Sequence, residues 1–269
     1  MADERSFRPL ESLDRRVLGA VRLLDDVTRA PIARPLTVAA DGVRFLRNRQ
    51  GLYVISDAPG LGQLTRLFEL PADGAALPPR SFVLRIEDPL QEYLPRLATL
   101  ELPRAATGDP PPLFTPLEVA MLPAPAAGTR AGWGGLHAHV ERAGDRRPVR
   151  GALVRLAWSG TDGRDVVSRG LSDERGEALV PVAGLPVSRL GEGEGADVTD
   201  ETFAVLALHV ADGLPWPVDP DPPEPPPGRA VEVLPAAALA PPREPPEGGE
   251  IRLRLRPGRL EPVTLRVTL

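Results

Sequence analysis

The chain has no cysteine, and its 32 basic residues are all arginine, with no lysine. Without thiols there can be no disulfide frame, thiolate metal site or cysteine nucleophile. Without lysine the phosphate-cradling G-x-x-x-x-G-K-S/T loop cannot be written. Asparagine occurs once, at Asn48, and aromatic residues make up only 4% of the chain, so a core must be filled with Leu, Val and Ala. No stretch approaches the roughly 18 consecutive apolar residues that a membrane-spanning helix needs. The first residues, MADERSFRPLESLDRR, are charged and lack the apolar segment of a secretory signal. A cytoplasmic location is therefore expected, including within a particle assembled in the cytoplasm. Net charge is −5 and the isoelectric point about 5.4, which argues against a nucleic-acid partner.

What is abundant is proline, 34 residues in a chain of 269. Each interior proline removes a helical hydrogen bond and clashes with the preceding turn, so short strands joined by irregular loops are expected rather than long helices. Alternation of apolar and polar residues supports this. GAVRLLDD (19–26) runs into TRAPIARPLTVAA (28–40), and LHAHVERAG (136–144) runs into DRRPVRGALVRLAW (145–158). Each is a strand, a polar turn, a proline followed by a β-branched residue, and a second strand.

Three further pairs follow in the same order. RNRQGLYVIS (47–56) matches SDERGEALVPV (172–182), with Gly51 and Gly176 placed for a turn needing positive φ. SFVLRIED (81–88) matches TFAVLALHV (202–210), and EYLPRLATLELP (92–103) matches RLEPVTLRVTL (259–269). The reading is an all-β chain of two tandem β-sandwich domains, transthyretin-like or immunoglobulin-like, over residues 1–104 and 130–269. A proline-rich linker spans 105–129, its apolar centre at Leu117–Leu122 docking on one of the domains. A long proline-rich insertion at 213–249 is expected to be an excursion tacked to the domain's surface or to a neighbouring subunit, or else disordered. The last stretch, IRLRLRPGRLEPVTLRVTL, reads as a hairpin turning at Pro257 and Gly258.

The second copy resembles the carboxypeptidase regulatory-like, or transthyretin-like, β-sandwich. The residues that carry the resemblance are Pro148, Val149, Gly151, Ala152 and Val154, then Ser172, Asp173 and Gly176 with the strand after it. The first copy departs from the pattern: Pro35 stands at the small-residue position and Arg49 replaces the aspartate-led turn. The resemblance implies a fold used for accessory and adhesive modules and does not imply one activity. One enzyme branch, which hydrolyses 5-hydroxyisourate, ends in Tyr-Arg-Gly-Ser. This sequence ends Leu-Arg-Val-Thr-Leu, so that activity is not expected.

Several groups of residues carry candidate chemistry. In HAHVE, residues two apart on a strand share a face, which aligns His137, His139 and Glu141 as a candidate metal site that His209 could approach. The competing reading makes Leu136, Ala138 and Val140 the buried face and leaves the others facing solvent. Paired acids occur at Asp25 and Asp26, at Asp197 with Asp200 and Glu201, and at Asp219 and Asp221; all sit in loops, where such residues form turns. The acidic, glycine-rich stretch Gly191–Glu201 offers oxygen ligands for calcium but lacks Asp-x-Asp-x-Asp spacing. Ser159 and Gly160 lack a G-x-S-x-G nucleophile elbow and read as a hairpin turn.

Arg252, Arg254, Arg256 and Arg266 form a candidate interaction face, with Arg44, Arg47 and Arg49 as a second cluster. Trp133, Trp158 and Trp216 are core or loop anchors, or a carbohydrate platform, with Trp216 also an interaction candidate. No cofactor is expected, and catalytic residues are none. The expected function is a non-enzymatic structural or adaptor subunit of a multi-protein assembly, such as a phage-tail-like contractile injection system. A carbohydrate- or calcium-binding accessory module and a metal-dependent hydrolase are the alternatives. The sequence leaves the oligomeric state open.

Overall fold

In a computed structural model the chain is all-β. The structure describes residues 17–62, 64, 78–104, 113–160, 163, 165–186, 202–210, 216–221, 231–235 and 251–268. Fifteen strands are defined among them: β1 (Gly19–Asp25), β2 (Thr37–Ala39), β3 (Arg44–Arg47), β4 (Tyr53–Asp57), β5 (Arg80–Glu87), β6 (Arg96–Leu102), β7 (Leu117–Met121), β8 (Gly134–Arg142), β9 (Leu153–Ser159), β10 (Asp165–Leu171), β11 (Glu177–Val182), β12 (Thr202–His209), β13 (Val231–Pro235), β14 (Ile251–Leu255) and β15 (Leu260–Val267). They form sheets of order β3-β4-β1-β7, β2-β5-β6, β11-β8-β15-β13 and β10-β9-β12-β14. No helix of the described residues is long and apolar enough to cross a membrane.

The last two sheets share one core and make a β-sandwich. Leu136, Ala138 and Val140 of β8 and Val263 and Leu265 of β15 meet Val154 and Leu156 of β9 and Ala204 and Leu206 of β12 in a single buried cluster. Small aliphatic side chains that recur on one side of each strand make this possible, because each strand turns one face toward the shared core.

The repeat seen in the sequence is reproduced in backbone detail. Leu24 bridges Pro31 and Glu141 bridges Pro148. Arg29 and Arg146 share a left-handed φ of 58°. Ile32 donates to the Leu23 carbonyl and Val149 to that of Val140, each at 2.9 Å. The next turn recurs as well. Asp173 Oδ1 accepts from the N–H groups of Arg175 and Glu177, and Asn48 Oδ1 accepts from those of Gln50 and Leu52. Gly176 (φ 76°) and Gly51 (φ 82°) complete the two turns. The aspartate-led turn expected to be replaced by Arg49 is thus kept, with the one asparagine of the chain as its acceptor.

Three expectations need correction. The final stretch is not a hairpin: β14 pairs with β12 in one sheet, and β15 pairs parallel with β8 in the other. The turn at Pro257 and Gly258 is a corner between facing sheets. A hairpin and such a corner show the same alternation, because in both Leu253 and Leu255 point toward the same core as Val263 and Leu265. Second, the order β4-β1-β7 parallels β11-β8-β15, and β2-β5-β6 parallels β9-β12-β14. The counterpart of β6 (within 92–103) is therefore β14, not the 259–269 strand. Third, Leu117–Met121, assigned to the 105–129 linker, is β7 and lies beside β1 in its sheet.

The chain divides into two compact units, one of Met1–Arg22, Ala39–Val83 and Thr99–Glu118, the other of Leu23–Val38, Leu84–Ala98 and Val119–Leu269. Each draws on several segments of the chain.

Candidate functional site

Strand β8 puts Leu136, Ala138 and Val140 in the core, with His137 and His139 half-exposed on the opposite face. The parallel register sets Arg266 of β15 opposite Glu141 and Thr264 opposite His139. Arg266 Nε donates to Glu141 Oε1 at 2.6 Å, while His139 Nε2 lies 3.9 Å from Glu141 Oε2. The hydrogen bond from Arg266 holds the Glu141 carboxyl below its usual range, outweighing burial. A carboxylate so engaged is a poor base and a poor free ligand. His209 is on β12, in the other sheet, and is not brought to this face. Among the described residues no group of three or more His, Asp and Glu side chains is placed to hold a metal ion.

The four arginines proposed as one face are divided between sheets. Arg252 and Arg254 lie on the outer side of β14, Arg256 follows that strand, and Arg266 belongs to the opposite sheet with Glu141. Arg252 borders a different feature, the solvent side of sheet β10-β9-β12-β14. There Val167, Ala157, Val205 and Arg252 stand side by side in register on four successive strands. Phe203, two residues before Val205, is 59% exposed, and Val167 is 48% exposed. Ala157 and Ala207 are exposed on the same face.

The tryptophans are dispersed. Trp158 is a core residue, Trp133 carries the Arg130 guanidinium 5.3 Å from its ring, and Trp216 carries that of Arg150 at 5.6 Å. They do not form a common platform. The acidic stretch Gly191–Glu201, with Asp197, Asp200 and Glu201, lies outside the described residues. Ser159 ends β9 and its Oγ donates to Asp165 across the β9–β10 hairpin, as a turn residue does.

The densest ionic cluster was not anticipated as a unit. Residues 216–221, Trp-Pro-Val-Asp-Pro-Asp, come from the proline-rich insertion and dock on the surface. Val218 is buried with Leu94, Leu122, Ala124, Leu153 and Leu171, and Trp216 packs against them. The Val218 carbonyl accepts from Leu97 N–H at 2.9 Å. Arg96, whose side chain is 4% exposed, donates from Nη2 to Asp219 at 2.9 Å and Asp221 at 3.0 Å, and from Nη1 to the Ala120 carbonyl. Arg169 grips Asp26 through Nε at 3.0 Å and Nη2 at 2.7 Å, and its Nη1 bonds Asp221.

Burial opposes charge on Asp221, but Arg96 and Arg169 outweigh it and hold the carboxyl below its usual range. Burial likewise works against the Arg169 charge, and Asp26 and Asp221 more than reverse it. The paired acids Asp26, Asp219 and Asp221 are therefore engaged by Arg96 and Arg169 in a structural network.

A second cluster closes the turn after β5. Asp88, side chain fully buried, receives a two-pronged contact from Arg34, and its oxygens accept from the N–H groups of Leu90, Glu92 and Tyr93 at 3.0, 2.8 and 3.0 Å. Burial alone pushes the Asp88 carboxyl up; Arg34 and the backbone donors overcome it and bring it down to about 2. Tyr93 hydroxyl donates to Asp25 at 2.9 Å, and Asp25 also accepts from Thr28. Burial and then Asp25 raise the Tyr93 phenol.

These clusters pair residues far apart in sequence, 123 positions for Arg96 and Asp219. The only local hint was Asp-Pro-Asp set among prolines and next to a tryptophan. Scans against family models, curated proteins and solved structures found nothing that matches the chain.

Proposed function

We propose that the chain is a non-enzymatic structural or adaptor subunit of a multi-protein assembly, built on tandem transthyretin-like sandwiches. The observation that carries this reading is the apolar row Val167–Ala157–Val205 with Phe203 on the outer face of sheet β10-β9-β12-β14. Single exposed apolar residues are ordinary, but a contiguous row across adjacent strands, bordered by arginine, has the composition of an interface centre with its rim. The transthyretin-like part of the reading is supported by its motif: Val149, Ala152 and Val154 are core residues, and Ser172 ties the turn together from within.

The narrower setting we favour is a phage-tail-like contractile injection system, whose parts assemble in the cytoplasm. The test is purification from the native source, mass spectrometry and electron microscopy of the eluate, beside a Phe203→Asp, Val167→Asp variant. Sheath, tube or baseplate proteins that accompany the wild type and are lost from the folded variant are the expected result. A lone monomer, or partners indifferent to the variant, would overturn it.

A further inference from the structure

The docked segment 216–221 is seated as a bound peptide would be. Val218 fills an apolar depression lined by Leu94, Leu153 and Leu171. Its carbonyl takes the Leu97 N–H, Arg150 covers Trp216, and two arginines receive the carboxylates. This side of the molecule cannot be left bare without cost. A buried guanidinium is stable only when paired, and removing one partner of a buried ion pair is strongly destabilising. Asp26 supplies part of what Arg169 needs. The carboxylate partners of Arg96 among the described residues, Asp219 and Asp221, both come from the docked segment.

We infer that this groove is a recognition site for a protein segment of the form apolar-Asp-x-Asp, and that residues 216–221 fill it in cis as an autoinhibitory contact. The inference rests on the adaptor reading and names the chemistry of one partner. Arg96 and Arg169 select acidic segments, the Val218 depression selects an apolar residue just before the acids, and the Leu97 N–H fixes the register. Displacing the segment exposes Arg96 and Arg169 together, so only an incoming chain that brings two carboxylates replaces what is lost.

The test uses the full chain and a fluorescent peptide of sequence PWPVDPDP, with binding read by anisotropy. An Asp219→Asn, Asp221→Asn variant loosens the internal segment. Because apparent affinity falls with the fraction of open groove, the peptide is expected to bind this variant roughly tenfold or more tightly than the wild type. Binding should vanish when both peptide aspartates become asparagine, and when Arg169→Gln is added to the variant. If the double variant does not fold, Asp221→Asn alone, which keeps the Asp219–Arg96 pair, is measured in the same way.

A folded variant that ignores the peptide, or binding indifferent to the peptide's aspartates, would overturn the inference. Peptide binding without any partner in the native purification would sink the adaptor reading and leave the groove standing.

Discussion

At the scale of single residues, stability rests on a few polar side chains that serve backbone groups. Ser172, completely buried, donates from Oγ to the Val149 carbonyl at 2.7 Å and accepts from Ala152 N–H at 2.8 Å. Ser172→Ala orphans both groups, and a loss on the order of 2 kcal/mol is expected in urea denaturation; no change would refute the assignment. Asn48 offers a milder test. Asn48→Asp keeps the acceptor and should leave the urea midpoint nearly unchanged, whereas Asn48→Ala should lower it. Asp88 adds a pH dependence. Its folded value of about 2 lies below the ordinary 3.8, so its contribution is present above about pH 4 and is lost as pH falls toward 2. The shift corresponds to about 2 kcal/mol. The stability gap between wild type and Asp88→Asn should therefore narrow on acidification, and a gap that is constant down to about pH 2 would contradict the Arg34–Asp88 account.

At the scale of elements, the parallel pairing of β15 with β8 is what brings Arg266 to Glu141. Arg266→Leu leaves a carboxylate with a side chain only 10% exposed beside a half-exposed histidine. A loss of about 3 kcal/mol at neutral pH is expected, largely recovered in the Arg266→Leu, Glu141→Leu double variant. Equal midpoints for wild type and single variant would show the pair to be idle. This element also marks how far the sequence could be read. The apolar–polar alternation of the last two strands agrees with the burial of Leu253, Leu255, Val263, Leu265 and Val267, because burial depends only on the face. It could not tell which sheet each strand joins, since Leu253 and Val263 look inward from either side. The turns were legible because glycine, proline and a short polar acceptor act locally. The partners of the docked segment were not, because Arg96 and Arg169 meet Asp219 and Asp221 only after the chain has folded.

At the scale of the whole molecule, duplication does not mean independence. The strand orders recur, β4-β1-β7 with β11-β8-β15 and β2-β5-β6 with β9-β12-β14, so the sequence repeat reflects a repeated construction. Yet the compact unit that contains the complete second sandwich also includes Leu23–Val38 and Leu84–Ala98. From those segments come Leu94, packed with Leu153, Leu171 and Val218, and the charged groups Arg96 and Asp26. A fragment of residues 130–269 keeps all 21 core residues of the sandwich found among the described residues, because the first of them is Leu136. It should therefore still form sheet. It loses the Asp26 carboxylate that pairs with Arg169, the Arg96 guanidinium that pairs with Asp219 and Asp221, and three apolar neighbours of Val218: Leu94, Leu122 and Ala124. Losses of this kind are each worth about 1–3 kcal/mol. The fragment is expected to show a β-type circular dichroism spectrum with a clearly lower urea midpoint than the intact chain. Its 216–221 segment should be cut by protease before the rest. A fragment as stable as the whole chain, with that segment equally protected, would mean that the second sandwich holds the segment without help from residues 23–38 and 84–98.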